Sequence, residues 1–218
     1  MDTAANYKIL GNVALGPDCE VGDYVIIGVA PAGRREGELE TRIGPGALIR
    51  SHTVIYAGNV IGANFMTGHG ALIRESNRIG DNVSIGSHTI IEHDVAIGHR
   101  VRIHSGSFIP EFCVLEDGAW IGPGVFFTNV LHPLCPVLPK CIRGPVIGRG
   151  AKIGAHATVL PSVTVGDMAM VAAGAVVTRD VPARMVAAGN PARIVKSIDE
   201  IACPWDYIAH PYPGADEA

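Results

Sequence analysis

The sequence predicts an all-β protein folded as a three-sided solenoid, and three observations lead to that prediction. Counting in sixes from Ile43 to Phe127 reaches fifteen positions, and thirteen of them are Ile or Leu. Glycine follows seven of the fifteen, and a small or β-branched residue recurs four positions after most of them. A helix repeats about every 3.6 residues and a strand about every 2, so a period of six indicates short strands joined by tight turns. Three such sides would complete one coil every 18 residues.

The first coils are predicted to begin near Ile9, because Ile9, Leu15, Val21 and Ile27 are already six apart. Residues 1–8 give no pattern and are treated as a lead-in. Sixteen residues separate Ile27 from the next periodic position, which is not a multiple of six. The intervening polar, Pro- and Gly-containing segment at about 29–42 is therefore predicted to leave the solenoid as a loop.

A second loop is predicted at about 133–145, where four prolines interrupt the period. The period then resumes at Ile147 and runs to Val177. Beyond it, Ile194, Ile198 and Ile201 have helical spacing and predict a short C-terminal helix that covers the open edge of the solenoid. We therefore expect one solenoid domain over residues 1–192, followed by a C-terminal helix and tail over 193–218.

Composition narrows the class of protein. No run of 18 apolar residues occurs and the N-terminus lacks a signal-peptide pattern, so we expect a soluble cytoplasmic protein with no membrane partner. Five cysteines form an odd set without metal-ligand spacing. Cys19 and Cys113 fall at small inward positions and are predicted to be core residues. Cys135 and Cys141 lie in the second loop and are expected to be free thiols.

Charge is unevenly distributed along the chain. The formal net charge is −4, but the segment from Lys140 to Lys196 holds eight basic and two acidic residues and so carries +6. The rest of the chain therefore carries −10. A basic segment on an acidic protein indicates a local site for a polyanionic ligand and not nucleic-acid binding.

Four sequence stretches resemble the hexapeptide-repeat acyltransferases. They are FTNVLHP before the second loop, then IGAHATVLPSVTVG, AAGAVVTRDVP and AAGNPARIVK. The resemblance covers residues 9–200 approximately and implies a left-handed parallel β-helix, an exception to the right-handed crossover rule. It is closest to the nucleotide-sugar N-acetyltransferases of surface-polysaccharide pathways. It therefore implies a homotrimer, acetyl-CoA held between subunits, and a small-molecule acceptor, a nucleotide amino sugar.

The resemblance also implies where the donor binds. Arg193 and Lys196 fall in the stretch that approaches the adenine-phosphate end of the donor, which gives the basic segment a use. Small residues that would let the pantetheine arm lie against the backbone fall at Ala157, Ala173, Gly174 and Ala175.

The chemistry needs a general base, because a thioester is already activated and requires neither a metal nor a covalent enzyme intermediate. Residues 18 apart stack on adjacent coils about 4.8 Å apart. His93, Glu111 and Asn129 are therefore predicted to form one column, with Glu111 and Asn129 as substrate-binding residues.

Two histidines are candidates for the base. His132 precedes the second loop and resembles the histidine before proline in sugar and xenobiotic acetyltransferases. His93 is followed by Asp94 and resembles the histidine–acid pair of the amino-sugar and lipid A acyltransferases. We rank His132 slightly above His93, and a third possibility is that the CoA sulfur takes the proton.

Two other functions compete with acyl transfer. His99 and His104 occupy the registers of two metal ligands of the γ-class carbonic anhydrases, but Asp81 stands where the third histidine is required. A non-catalytic scaffold is the other alternative. The donor-site stretches favour the enzyme over the scaffold, which would not need them, and two histidines alone are only suggestive of a zinc site.

Overall fold

The computed structural model describes residues 6–212, which form a three-sided parallel β-helix. Residues 1–5 and 213–218 lie outside the described residues, so part of the expected lead-in and the end of the expected tail are not described. The three sheets contain nine, eight and ten strands. We call them faces A, B and C, in the order in which the chain meets them.

Most strands have only two residues, because a turn follows each one. Face A consists of Lys8–Ile9, Ile26–Val29, Val54–Tyr56, Leu72–Ile73, Ile90–Ile91, Phe108–Ile109, Phe126–Phe127, Thr158–Val159 and Val176–Val177. Face B consists of Val13–Leu15, Thr41–Ile43, Val60–Ile61, Arg78–Ile79, Ala96–Ile97, Val114–Leu115, Val146–Ile147 and Thr164–Val165. Face C consists of Glu20–Val21, Leu48–Ile49, Met66–Thr67, Ser84–Ile85, Arg102–Ile103, Trp120–Ile121, Lys152–Ile153, Met170–Val171, Met185–Ala188 and Arg193–Ser197.

The coil length predicted from the sequence is confirmed by the strand pairing. Ile73 pairs with Ile91 in parallel, and Ile91 pairs with Ile109, each partner lying 18 residues further on. From Ile27 to Val177 the periodic aliphatic residues point inward and are almost completely buried, whereas Ile9 is exposed and Leu15 and Val21 are only partly buried. The small residues four positions later also point inward, as Ala47 and Val83 do. Each 18-residue coil thus fills the narrow interior of the solenoid with one large and one small side chain per face.

Both predicted loops leave the solenoid at the turn from face A to face B, which we call the A/B edge. The first loop lies between Val29 and Thr41, and the second between Phe127 and Val146. The second loop therefore begins about five residues earlier than its prolines indicated, and contains a 3-10 turn at Leu138–Lys140. Its base is closed by the amide of Arg143, which donates to the carbonyl oxygen of Asn129 at 3.0 Å.

The C-terminal end differs from the predicted helix. Arg193–Ser197 forms a strand antiparallel to Met185–Ala188, and only a 3-10 turn at Ile198–Glu200 follows. Ile194 therefore lies on a strand, whereas Ile198 is buried against the solenoid. A hairpin covers the end of face C in place of the helix, because Arg193–Ser197 pairs with the backbone edge of Met185–Ala188. A helix packed there would leave that edge without backbone partners.

Cys113 is buried as predicted, and Cys19 is only partly buried. Cys135 and Cys141 are free thiols, as expected for the second loop.

Candidate active site

A row of polar side chains runs along the A/B edge and contains the predicted column. Asn129 Nδ2 donates to Glu111 Oε2 at 2.5 Å, and the other oxygen of Glu111 lies 3.6 Å from His93 Nε2. Asn129 is nine-tenths buried, so it holds the carboxylate of Glu111 from the solenoid side. The structure thus brings together the three residues that the 18-residue spacing predicted to meet.

His93 is oriented by its neighbour in the chain. Its Nδ1 lies 2.8 Å from Asp94 Oδ2. A carboxylate only accepts hydrogen bonds, so Nδ1 carries the hydrogen, and in the neutral ring the lone pair is then on Nε2. Asp94 sits at the tight turn with φ of 55°, a backbone conformation that Asp tolerates better than most residues. Phe112 presents its ring edge-on to the imidazole, with 6.0 Å between ring centroids.

A second polar group lies one coil below His93, and our sequence reasoning missed it. Arg74 makes two 2.9 Å bonds to Glu75 and a 3.1 Å bond to Glu92, and its guanidinium lies 5.1 Å from the centre of the Tyr56 ring. The signal was available, because Glu75 stands 18 residues before His93 in the same column. Burial by itself raises the pKa of Glu75. The hydrogen bonds and charge of Arg74, a backbone hydrogen bond and the charge of His93 together outweigh burial, so that pKa lies below its usual value.

His132 is not part of this row in the structure. It is exposed in the second loop, and its imidazole makes no hydrogen bond to any residue between 6 and 212. Three exposed apolar side chains, Leu131, Leu134 and Val137, surround it in sequence. The structure therefore orients His93 and leaves His132 without an orienting partner among the described residues.

Face C carries a groove of about 550 Å³ near its C-terminal end. Trp120, Lys152, Met170 and Ala173 line it, and Tyr212 covers part of it. Lys152 Nζ donates to the carbonyl oxygen of Gly150 at 2.7 Å and lies 5.1 Å from the centre of the Tyr212 ring. Burial, and then the charge of Arg184, lower the pKa of Lys152.

The predicted donor residues separate into two groups. Ala173 and Gly174 are exposed at the turn after face C, and Arg193 and Lys196 are exposed on the last strand of that face. Ala157 and Ala175, by contrast, are completely buried inside the solenoid, because they occupy the small inward position of the repeat. Their side chains shape the coil and face no ligand, while the expectation that the pantetheine arm lies against the backbone beside them stays a prediction.

Comparison with protein families identifies the repeat. The profile of the bacterial transferase hexapeptide (six repeats) family matches residues 78–111 and 144–179. These two segments are therefore hexapeptide repeats of that family. The two matched segments lie on either side of the second loop. Asn129, the last residue of the polar row, lies at the start of that loop.

Two curated relatives of this hexapeptide-repeat protein are acetyltransferases by name. Galactoside O-acetyltransferase of Escherichia coli (strain K12) is 36% identical over 90 residues, which are 39% of this chain and 44% of that protein. 2,3,4,5-tetrahydropyridine-2,6-dicarboxylate N-acetyltransferase of Clostridium perfringens (strain SM101 / Type A) is 45% identical over 80 residues, which are 37% of this chain and 31% of that protein. The chain thus spans less than half the length of these relatives.

A solved structure shows the fold. The UDP-N-acetylglucosamine acyltransferase from Bacteroides fragilis 9343 superposes with a TM-score of 0.70 over 88% of this chain and 73% of that chain, at 17% identity. The hexapeptide-repeat protein therefore has the left-handed parallel β-helix fold that its sequence motifs implied.

The histidines of the metal-site alternative lie in different surroundings. The amide of Asp81 donates to Nδ1 of His99 at 3.0 Å. The ring of His104 packs against Trp120 with 4.8 Å between centroids, and its Nε2 is buried. Within residues 6–212, no three His, Cys, Asp or Glu side chains are grouped so that they could hold a metal ion. Over the same range, no helix has the length and apolar character to cross a membrane.

Proposed function

We propose that this hexapeptide-repeat protein is an acyltransferase that moves the acetyl group of acetyl-CoA to an amino group of a nucleotide-linked sugar. The observation that supports this most is the oriented histidine–acid pair, His93 and Asp94, on an open edge of the solenoid. The acetyltransferase names of its relatives and the sequence motifs of the donor site point the same way.

His93 serves as the general base in this proposal. Its Nε2 takes a proton from the acceptor nitrogen while that nitrogen forms a bond to the thioester carbon. The carbon–sulfur bond then breaks, the coenzyme leaves as a thiolate, and the proton on His93 passes to the sulfur. Asp94 keeps Nδ1–H bonded throughout and stabilises the imidazolium that forms between the two proton transfers.

Glu111 and Asn129 hold the acceptor. An ammonium or amine beside Nε2 would meet the Glu111 oxygen that lies 3.6 Å from that nitrogen. Because Asn129 fixes the other oxygen, the carboxylate is held in place before the acceptor arrives. A hydroxyl in place of the amine would give this carboxylate a weaker, uncharged partner.

The donor lies along face C in this proposal. The groove there is lined by Ala173, and the exposed Arg193 and Lys196 supply positive charge for the coenzyme phosphates. We propose that three copies assemble as a homotrimer, so that the A/B edge of one subunit faces the groove of another and closes a donor site too shallow in a single chain.

Replacing His93 tests the base directly. His93→Ala should lower kcat by about a hundredfold or more, since general-base catalysis contributes that much, while acetyl-CoA affinity stays nearly unchanged. Thiol release would be followed with acetyl-CoA and a panel of UDP- and GDP-linked amino sugars, and affinity by calorimetry. The matching sugars without the amine serve as acceptor controls.

His132→Ala is the matched comparison, because His132 is the other predicted base and lies outside the polar row. A small loss there with a large loss for His93→Ala supports the assignment. The opposite pattern would exchange their roles. Small, equal losses would mean that the sulfur or water takes the proton.

A further inference from the structure

Three carboxylates approach His93 from different sides. Asp94 accepts from Nδ1, Glu111 lies beside Nε2, and Glu75 approaches from the coil below. Phe112 contributes only a ring edge. Carboxylates near an imidazole favour its protonated form, in which Nε2 has no lone pair left for catalysis.

Arg74 is the cation that faces this cluster. Its guanidinium donates two parallel hydrogen bonds to Glu75 and a third to Glu92. A planar guanidinium matches the paired bonds to one carboxylate, and an ammonium does not. The face of the same group rests on Tyr56, which limits its movement. The side chains of Arg74, Glu75 and Glu92 are all largely shielded from water, so their charges act on one another with less screening than surface pairs.

We propose that Arg74 is a positioning residue for the base: by binding Glu75 and Glu92 it offsets the negative charge of their carboxylates on this edge and so favours the neutral ring of His93, in which Nε2 can accept a proton. This inference rests on the proposed role of His93. In it, Arg74, Glu75 and Glu92 together determine the pH range in which His93 can act as a base. Arg74 touches neither donor nor acceptor in this account and acts only through its neighbours.

Loss of Arg74 leaves one net positive charge fewer beside the imidazole and frees Glu75 to approach it. Both changes favour the imidazolium, so more alkaline conditions are needed to remove its proton. For a partly shielded charge several ångströms away, the displacement is about half to one pH unit. The acid limb of the kcat/KM profile should therefore move to higher pH and never to lower pH.

The experiment compares Arg74→Met with the unchanged protein across pH 5.5 to 9, a range set by the ordinary titration of imidazole near about 6.5. We expect kcat/KM to fall about three- to tenfold below pH 6.5 and to converge with the unchanged protein at the alkaline end. The NMR titration of the His93 ring, assigned with His93→Ala, should show its midpoint displaced upward by the same interval in the resting protein.

Three further variants separate charge from structure. Arg74→Met combined with Glu75→Gln should return the acid limb towards its original position, because the freed carboxylate is then gone. Arg74→Lys keeps the positive charge, so its acid limb should lie between those of the unchanged protein and Arg74→Met. Arg78→Met removes an exposed arginine from face B of the same coil, and should leave both profiles unchanged.

An equal loss of kcat/KM at every pH would overturn the proposal, since it would indicate a purely structural role. An NMR midpoint that does not move in Arg74→Met would overturn it as well. The NMR measurement needs no substrate, so it tests Arg74 even if the protein acetylates none of the sugars tried. Failure of the proposed function and failure of this inference are thereby distinguishable.

Discussion

At the scale of single residues, Cys203 and Cys113 differ in how readily they ionise. Backbone N–H groups, chiefly those of Trp205 and Tyr207, lower the pKa of Cys203, whereas burial raises the pKa of Cys113. Iodoacetamide at pH near 7.5 should therefore alkylate Cys203 first, since the thiolate is the nucleophile, and Cys113 only after unfolding. Peptide mass spectrometry over a time course would measure the order.

Cys203→Ser gives the control for that order, because it should remove the fastest phase and leave the slower ones unchanged. Alkylation of Cys113 in the folded protein at the rate of Cys203 would contradict the burial that the structure assigns to it.

Single residues of the candidate site were predictable to the extent that the repeat placed them. The 18-residue spacing brings His93, Glu111 and Asn129 into one column whatever their side-chain conformations are. The contacts of Arg74 could not be predicted in the same way, because an arginine on a solenoid edge can reach several neighbours and its actual partners depend on side-chain torsions. The surroundings of His132 could not be predicted from the repeat either, since the period stops where its loop begins.

At the scale of secondary-structure elements, the last strand carries the donor prediction. Arg193 and Lys196 are exposed on Arg193–Ser197 with their backbone held by Met185–Ala188. Arg193→Ala should raise the acetyl-CoA KM about three- to tenfold with little change in kcat, because a phosphate contact is remote from the reacting carbon. Steady-state kinetics at low and high salt would show the effect shrinking as ionic strength rises.

Arg100→Ala is the control for this strand, because Arg100 is an exposed arginine at the turn after face B. It should leave the acetyl-CoA KM unchanged. An unchanged KM for Arg193→Ala at low salt would remove Arg193 from the donor site.

The same strand shows why the C-terminal end was mispredicted. The spacing of Ile194, Ile198 and Ile201 fits one face of a helix, but it arises here from a strand followed by a single 3-10 turn. Hydrogen bonding to Met185–Ala188 is a tertiary contact that spacing within the segment does not encode. The strands of the solenoid were predictable because each coil repeats the pattern that its neighbour needs.

At the scale of the whole molecule, several large apolar side chains are exposed on the outer surfaces of the faces. Phe126 on face A is 52% exposed and stacks on Phe108, and Met66 and Trp120 are exposed on face C. Subunit association would cover such side chains. We expect light scattering at micromolar concentration to give about three times the chain mass of 22.8 kDa.

Dilution would provide the control for that mass, because a specific trimer keeps its stoichiometry over a range of concentrations whereas non-specific association grows with concentration. A monomer mass at micromolar concentration would count decisively against the assembly and against the shared donor site.

The 18-residue coil also limits how the length of this chain can change. Removing six residues between His93 and Glu111 would move every later strand by one face. Glu111 and Asn129 would then no longer lie on the edge that carries His93. Removing a whole coil would keep all later residues in phase and only shorten the prism by about 4.8 Å. The two loops at the A/B edge hang outside this count, so they can gain or lose any number of residues without rotating anything behind them. The loops beside the site can therefore change length one residue at a time, whereas the scaffold can change length only by whole coils of 18 residues.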